Sequence, residues 1–132
     1  MLLARVFVAK SGMSKSLGNL VFAKDLLKHH DAATIRLALM HYHYRIGGEW
    51  CPELLTEAQQ LLWQFRTASV TASKTSAEAL LREVRMALDD DLNNLEVIDA
   101  LHRFVAHTEP AAVRSSSAKA LTSQCLAILG LL

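Results

Sequence analysis

The stretch TSAEALLREVRMALDDDLNNLEVIDALHRFV, residues 75–105, decides the fold because it holds two amphipathic patterns on either side of an acidic turn. Apolar side chains that recur every three or four residues mark one buried face of a helix. The first pattern is carried by Leu80, Leu81, Val84, Ala87 and Leu88, and the second by Val97, Ile98, Leu101, Phe104 and Val105. The stretch therefore predicts two packed helices.

The ends of these two helices are predicted from polar residues. Thr75 and Glu78 have the spacing of a capping box, which predicts the start of the first helix. The run Asp89-Asp90-Asp91 is interpreted as the solvated turn that closes it. Either Asn93 or Asn94 then caps the second helix.

The same reasoning extends the helical pattern towards both ends of the chain. A helix is expected over Phe22–His30, a second one begins at a cap on Asp31 and includes Ile35, Leu39 and Tyr42, and a long third one begins near Pro52. The apolar face of that long helix is formed by Leu54, Ala58, Leu61, Leu62 and Phe65. After the serines at 115–117, a sixth helix carries Leu121, Cys125, Ile128 and Leu129. The predicted fold class is all-α, a bundle of five or six helices.

The first twenty residues differ from the rest. Leu2–Ala9 is apolar and partly β-branched, which predicts one short strand whose pairing partner the sequence does not identify. Lys10–Asn19, KSGMSKSLGN, is rich in Ser and Gly and is predicted to be a loop. We expect the segment to be extended or poorly ordered.

Composition sets the class of protein. A chain of 132 residues with 52% hydrophobic residues, 2 prolines and 5 glycines suits one packed helical domain. No apolar run reaches the roughly 18 residues of a membrane span, and no signal peptide is apparent, so a soluble, cytoplasmic protein is expected. The formal net charge of +1 argues against tight RNA binding driven by charge alone. Cys51 and Cys125 have no metal-ligand spacing and are expected to be free thiols.

The chemistry of the chain is concentrated in Met13–Asn19, MSKSLGN. A mobile loop of this composition can clamp a polyphosphate, with Lys15 supplying positive charge and Ser14 and Ser16 supplying hydroxyl donors. Gly12 and Gly18 would give the backbone freedom to close over a nucleotide. An ordinary solvated Ser/Lys turn is the alternative interpretation of these seven residues.

Three segments in order resemble one known family. GMSKSLGN is similar to the KMSKS signature of class I aminoacyl-tRNA synthetases. Asp31–Arg45, DAATIRLALMHYHYR, resembles the segment that follows this loop in cysteinyl-tRNA synthetases and their mycothiol-pathway relatives, and Leu88–Asn94 resembles a DDDxN turn in the same enzymes. The resemblance implies a KMSKS loop segment at 1–21 and a helical bundle at 22–132, similar to the stem-contact and anticodon-binding helices of class I synthetases.

The resemblance also implies an activity and a site. The family joins cysteine and ATP into cysteinyl adenylate, so Lys15 is the expected catalytic residue, and Gly12, Met13, Ser14, Lys15 and Ser16 are the expected ATP-binding residues. Gly12 stands where the motif has its first lysine, and Lys10 lies two residues out of register. Nothing in the sequence resembles the HIGH motif, the Rossmann-type sheet or the zinc ligands, so zinc is expected only in a missing N-terminal catalytic domain and the chain alone is expected to be inactive.

Two acceptors and one non-catalytic role remain open. The turn Gly48–Trp50, GEW, resembles the mycothiol ligase, which joins cysteine to the amine of glucosaminyl-inositol, and the near-neutral charge favours the same enzyme. Cysteinyl-tRNA synthetase, with tRNA as acceptor, is the alternative. The second alternative is a helical interaction module that kept this ancestry without activity.

Several tempting residues are set aside. His41 and His43 are expected on opposite faces of one helix, which argues against a shared metal ion. Trp50 is a candidate for the edge of a ligand pocket, but a packing role near Trp63 is favoured. The three aspartates are explained by capping and solvation, so no metal ligands are assigned.

Overall fold

The computed structural model describes residues 6–8, 11–108 and 115–132. Within these ranges the chain forms three very short strands and six helices. In chain order they are β1 (Val6–Val8), β2 (Ser11–Gly12), α1 (Ala23–Leu26), α2 (Ala32–Leu39), β3 (Gly48–Glu49), α3 (Glu53–Thr71), α4 (Lys74–Asp89), α5 (Asn94–His107) and α6 (Ser116–Leu129). Helices dominate, and the predicted all-α bundle is confirmed.

The short strands form a three-stranded ladder in the order β2-β1-β3. Phe7 is paired with Gly12 of the antiparallel β2 and with Glu49 of the parallel β3. The predicted strand therefore finds its partners within the chain, and the predicted loop contains two paired residues, Ser11 and Gly12. Leu2–Arg5, Ala9 and Lys10 lie outside the described residues.

The long helix α3 contacts three other helices. It packs against α2, α5 and α6, while α4 packs against both α5 and α6. The residues predicted for its apolar face are all buried, and Phe65 meets Phe104 of α5 with 5.3 Å between ring centroids. The helix thus joins α2 to the α4–α6 group.

The predicted apolar faces of α4 and α5 are confirmed. Every residue assigned to them is buried except Leu88 and Val105, which are partly buried and pack against the core. The predicted sixth helix is α6, in which Cys125 and Leu129 are buried and Ile128 is 42% exposed. Trp63, on α3, is 68% exposed.

Single polar side chains cap the N-termini of α2, α4 and α5. Asp31 caps α2 by accepting from Thr34 N at 2.6 Å, and Asn93 caps α5 by accepting from Glu96 N at 3.3 Å. The prediction of a capping box at Thr75 and Glu78 was wrong. Ser73 caps α4, its Oγ accepting from Ser76 N at 3.1 Å, so that Thr75 and Glu78 lie within the helix.

The two N-terminal helices are shorter than predicted. The helix expected over Phe22–His30 has only the four residues of α1, none of them buried, so little packing energy extends it. The next helix ends at Leu39, and Tyr42 lies beyond it. Tyr42 instead donates its hydroxyl to Glu49 O at 2.6 Å, which ties the segment after α2 to β3.

The C-terminus of α6 is fixed by a left-handed glycine. Gly130 has φ of +66°, and Leu131 N donates to Leu126 O at 2.8 Å, as in a Schellman turn. A Cβ on Gly130 would lie 3.1 Å from Cζ of Arg36, so this turn also packs closely against α2. In the part of the chain that the structure describes, no helix is long and apolar enough to cross a membrane.

Replacing Phe65 by Ala should destabilise the fold by about 3–5 kcal/mol, because it empties the contact between α3 and α5. The matched control, Trp63→Ala on the exposed face of the same helix, should change the free energy of unfolding by no more than about 0.5 kcal/mol. Urea denaturation followed by circular dichroism measures both values. Equal losses for the two variants would contradict the placement of α3.

Candidate ATP-binding loop

The centre of the predicted loop is a tight turn that faces solvent. Gly18 N donates to Lys15 O at 3.2 Å, and Gly18 has φ of +65°, a conformation that glycine adopts without strain. Lys15, Ser16 and Leu17 are exposed on this turn. The structure therefore places the expected catalytic lysine where an external ligand can reach it.

The base of the turn is held by Asn19, which was not among the predicted site residues. Its Oδ1 accepts from Ser14 N at 2.9 Å, and its Nδ2 donates to Gly12 O at 3.3 Å. Asparagine after glycine is common in turns because its amide can bond the nearby backbone, and this was the available sequence signal. One side chain thus joins two of the five predicted ATP-binding residues.

Ser14 uses its polar groups within the loop. Its Oγ accepts from Leu17 N at 3.3 Å and lies 3.2 Å from Oγ of Ser16. Its main-chain N–H is already bound to Asn19. In this conformation Ser14 shapes the turn, while Lys15 and Ser16 form its exposed part.

Met13 faces away from the exposed turn. It is partly buried and lines a mainly apolar cavity of about 200 Å³ with Ile35, Leu39 and Trp50, among other residues. Trp50 is itself buried in the core, in agreement with the favoured packing role. The loop is therefore anchored to α2 by an apolar side chain directly before Ser14.

The acidic turn between α4 and α5 is more than a solvated cap. Asp91 receives Arg45 Nε at 2.7 Å, Arg45 Nη2 at 2.9 Å and the Tyr44 hydroxyl at 2.6 Å. The Arg45 hydrogen bonds, followed by that of Tyr44, lower the pKa of Asp91 from 3.8 to about 2. The interpretation of the run as purely solvated was wrong for Asp91, which links two of the three segments that carry the family resemblance.

The histidines lie beyond the end of α2, so the prediction that they occupy opposite helix faces was wrong. His41 Nδ1 lies 3.2 Å from Leu37 O, and His43 Nε2 lies 4.0 Å from Asp91 Oδ2. Among the residues in the described ranges, no group of three or more His, Cys, Asp or Glu side chains is placed to hold a metal ion. Both cysteines are free thiols, and burial raises the pKa of Cys125 to about 12.

The fold and the loop define a helical domain preceded by an exposed Ser/Lys turn. Residues 2–60 match the family described as tRNA synthetases class I (C) catalytic domain. Over these residues the chain is therefore similar to the class I synthetase family that its motifs predicted.

Individual relatives carry two kinds of name. The chain is 45% identical over 95 residues to the L-cysteine:1D-myo-inositol 2-amino-2-deoxy-alpha-D-glucopyranoside ligase of Streptomyces griseus, covering 71% of this chain and 23% of the relative. It is 38% identical over 120 residues to the protein of that name from Streptomyces scabiei, covering 89% and 29%. It is also 38% identical over 104 residues to the cysteine–tRNA ligase of Shewanella piezotolerans, covering 76% and 23%. The chain thus spans about a quarter of these relatives.

Replacing Arg45 by Gln should raise the pKa of Asp91 from about 2 towards its ordinary 3.8. Because the folded-state pKa is lowered, the pair stabilises the fold fully above 3.8 and progressively less as the pH falls towards 2. Carboxyl ¹³C NMR titration measures the shift, and Lys28→Gln, which removes the separate exposed pair with Asp25, serves as control. A wild-type midpoint near 3.8 would contradict the contact.

Proposed function

We propose that the chain is the loop and helical-bundle portion of an ATP-dependent cysteine ligase. The carboxylate of cysteine attacks the α-phosphate of ATP, giving cysteinyl adenylate and releasing pyrophosphate. An acceptor amine then attacks the activated carbonyl, forming an amide and releasing AMP. The observation that carries the proposal is the exposed Lys15–Ser16 turn. Asn19 holds its base by a hydrogen bond, and the turn lies within the segment that matches the family's catalytic domain.

Lys15 is proposed as the catalytic residue. Its ammonium would stabilise negative charge on the departing pyrophosphate, and this lowers the barrier to the extent that the contact tightens in the transition state. Ser16 would add a hydroxyl donor beside it, while Gly12, Met13 and Ser14 complete the ATP-binding loop. Gly12 stands where the motif has its first lysine, and Lys10, the candidate to replace it, lies outside the described residues.

The remainder of the active site is proposed to lie in an N-terminal catalytic domain. The chain spans about a quarter of its curated relatives. Leu27 and Leu39, which are 53% and 51% exposed, line an open groove of about 530 Å³ beside α1 and α2. Such a surface suits burial against another domain. That domain would bind cysteine and the zinc ion expected in this family.

The proposed acceptor is the amine of glucosaminyl-inositol, in a cytoplasmic mycothiol pathway. The Streptomyces relatives bear the name of a cysteine ligase for an amino sugar linked to inositol. A net charge of +1 gives the chain little general attraction for the phosphates of RNA. The alternative acceptor is tRNA, which the relative from Shewanella piezotolerans favours. A non-catalytic helical module is the second alternative.

The test supplies the ligase that contains this chain with cysteine, ATP and either glucosaminyl-inositol or cysteine tRNA. The proposal predicts amide product with the amino sugar and little charging of the tRNA, both followed with radiolabelled cysteine. Efficient charging of tRNA would instead identify the intact protein as a cysteinyl-tRNA synthetase. Absence of cysteine-dependent ATP–pyrophosphate exchange in the ligase would favour the non-catalytic module.

The same assay includes Lys15→Ala. Adenylate formation should slow by about 10²- to 10³-fold, as for loss of one preorganised electrostatic contact, with little change in cysteine affinity. The control is Lys28→Ala, which removes an exposed lysine outside the loop that pairs with Asp25. Equal effects of the two substitutions would contradict the assignment of Lys15 to the active site.

A further inference from the structure

We propose that Asn19 is the positioning residue of this loop, acting on catalysis through Lys15 without touching ATP. The inference rests on the proposed function for its catalytic consequence, and on the hydrogen bonds of the loop for its structural part. Asn19 is partly buried, whereas Lys15, Ser16 and Leu17 are exposed. It therefore lies at the base of the turn, between the reactive part and the body of the protein.

The contacts of the loop fall into two groups. The bonds from Gly18 N to Lys15 O and from Leu17 N to Ser14 Oγ lie within the turn and give it its shape. The bonds of Asn19 run from the end of the turn back to Gly12 O and Ser14 N at its beginning. The first group determines the shape of the turn, and the second determines its position relative to β2.

Gly12 provides the link to the rest of the molecule. It belongs to β2 and is paired with Phe7 of β1, which is paired in turn with Glu49 of β3. The side chain of Asn19 thus connects the exposed turn to the ladder. Met13 adds an apolar anchor in the cavity beside α2, but a thioether gives no directional bond that could orient the turn.

This arrangement matters because Lys15 acts at the end of a flexible side chain. An ammonium on a four-carbon stem has many conformations, so the backbone position determines how often it meets the phosphates. A displacement of about 1 Å can lower a rate by about 10²-fold. Loss of the Asn19 bonds should therefore slow the chemical step while leaving the affinity for cysteine unchanged.

The structural part is tested on the 132-residue chain by NMR measurement of amide exchange with water. Asn19→Ala should raise the exchange rate of the Ser14 amide by about three- to tenfold, as expected for loss of one hydrogen bond. Leu17→Ala is the matched control, since Leu17 is 63% exposed in the same turn and its backbone bond is retained. Both variants should keep the wild-type melting temperature. An unchanged Ser14 rate in Asn19→Ala would overturn the proposal.

The catalytic part is tested by a double-mutant cycle in the ligase that contains this chain. Asn19→Ala should slow adenylate formation by about ten- to a hundredfold with an unchanged KM for cysteine. In a Lys15→Ala background it should have less than about a twofold further effect, because residues that act as a unit are not additive. Additive losses would overturn the proposal. An inactive wild-type ligase would instead refute the proposed function, while the amide exchange still decides whether Asn19 holds the loop.

Discussion

The buried face of α3 is the constraint on which the rest of the structure depends. Leu54, Leu55, Ala58, Leu61, Leu62 and Phe65 are all at most 7% exposed, and the helix that carries them contacts α2, α5 and α6. Burial of each leucine or phenylalanine side chain among them contributes about 1.5–3 kcal/mol relative to exposure. Because α3 contacts both α2 and the α5–α6 pair, this packing determines the position of the loop-bearing segment on the bundle.

Two further links refine that placement. The Arg45–Asp91 contact joins the segment after α2 to the turn between α4 and α5, although it is exposed and therefore sensitive to salt. The ladder and the Met13 side chain then connect the loop to β3 and α2. Burial thus decreases from the core to the Lys15 turn, where the proposed chemistry needs a reachable ammonium.

The sequence predicted the features that follow from periodicity and missed those that depend on distant partners. The buried faces of α3, α4 and α5 were predictable because apolar spacing reports burial directly. The early end of α2 was not, because the hydroxyl of Tyr42 reaches Glu49 O after a turn. Asp91 was taken for a solvated residue because its partner Arg45 is 46 residues away. The predicted site residues are contiguous, so their proximity was predictable from the sequence. The hydrogen bonds of Asn19 to Gly12 and Ser14 were not predicted.

We propose that this chain supplies a phosphate-contacting loop and a bundle, and that the core that orients cysteine and ATP lies elsewhere in the ligase. Cysteine-dependent ATP–pyrophosphate exchange by the 132-residue chain alone tests it most directly. The account predicts no exchange above that of Lys15→Ala, because a single loop cannot bring both reactants into attack geometry. Robust exchange that is lost in Lys15→Ala would show that the chain contains a complete activating site, and would contradict the account.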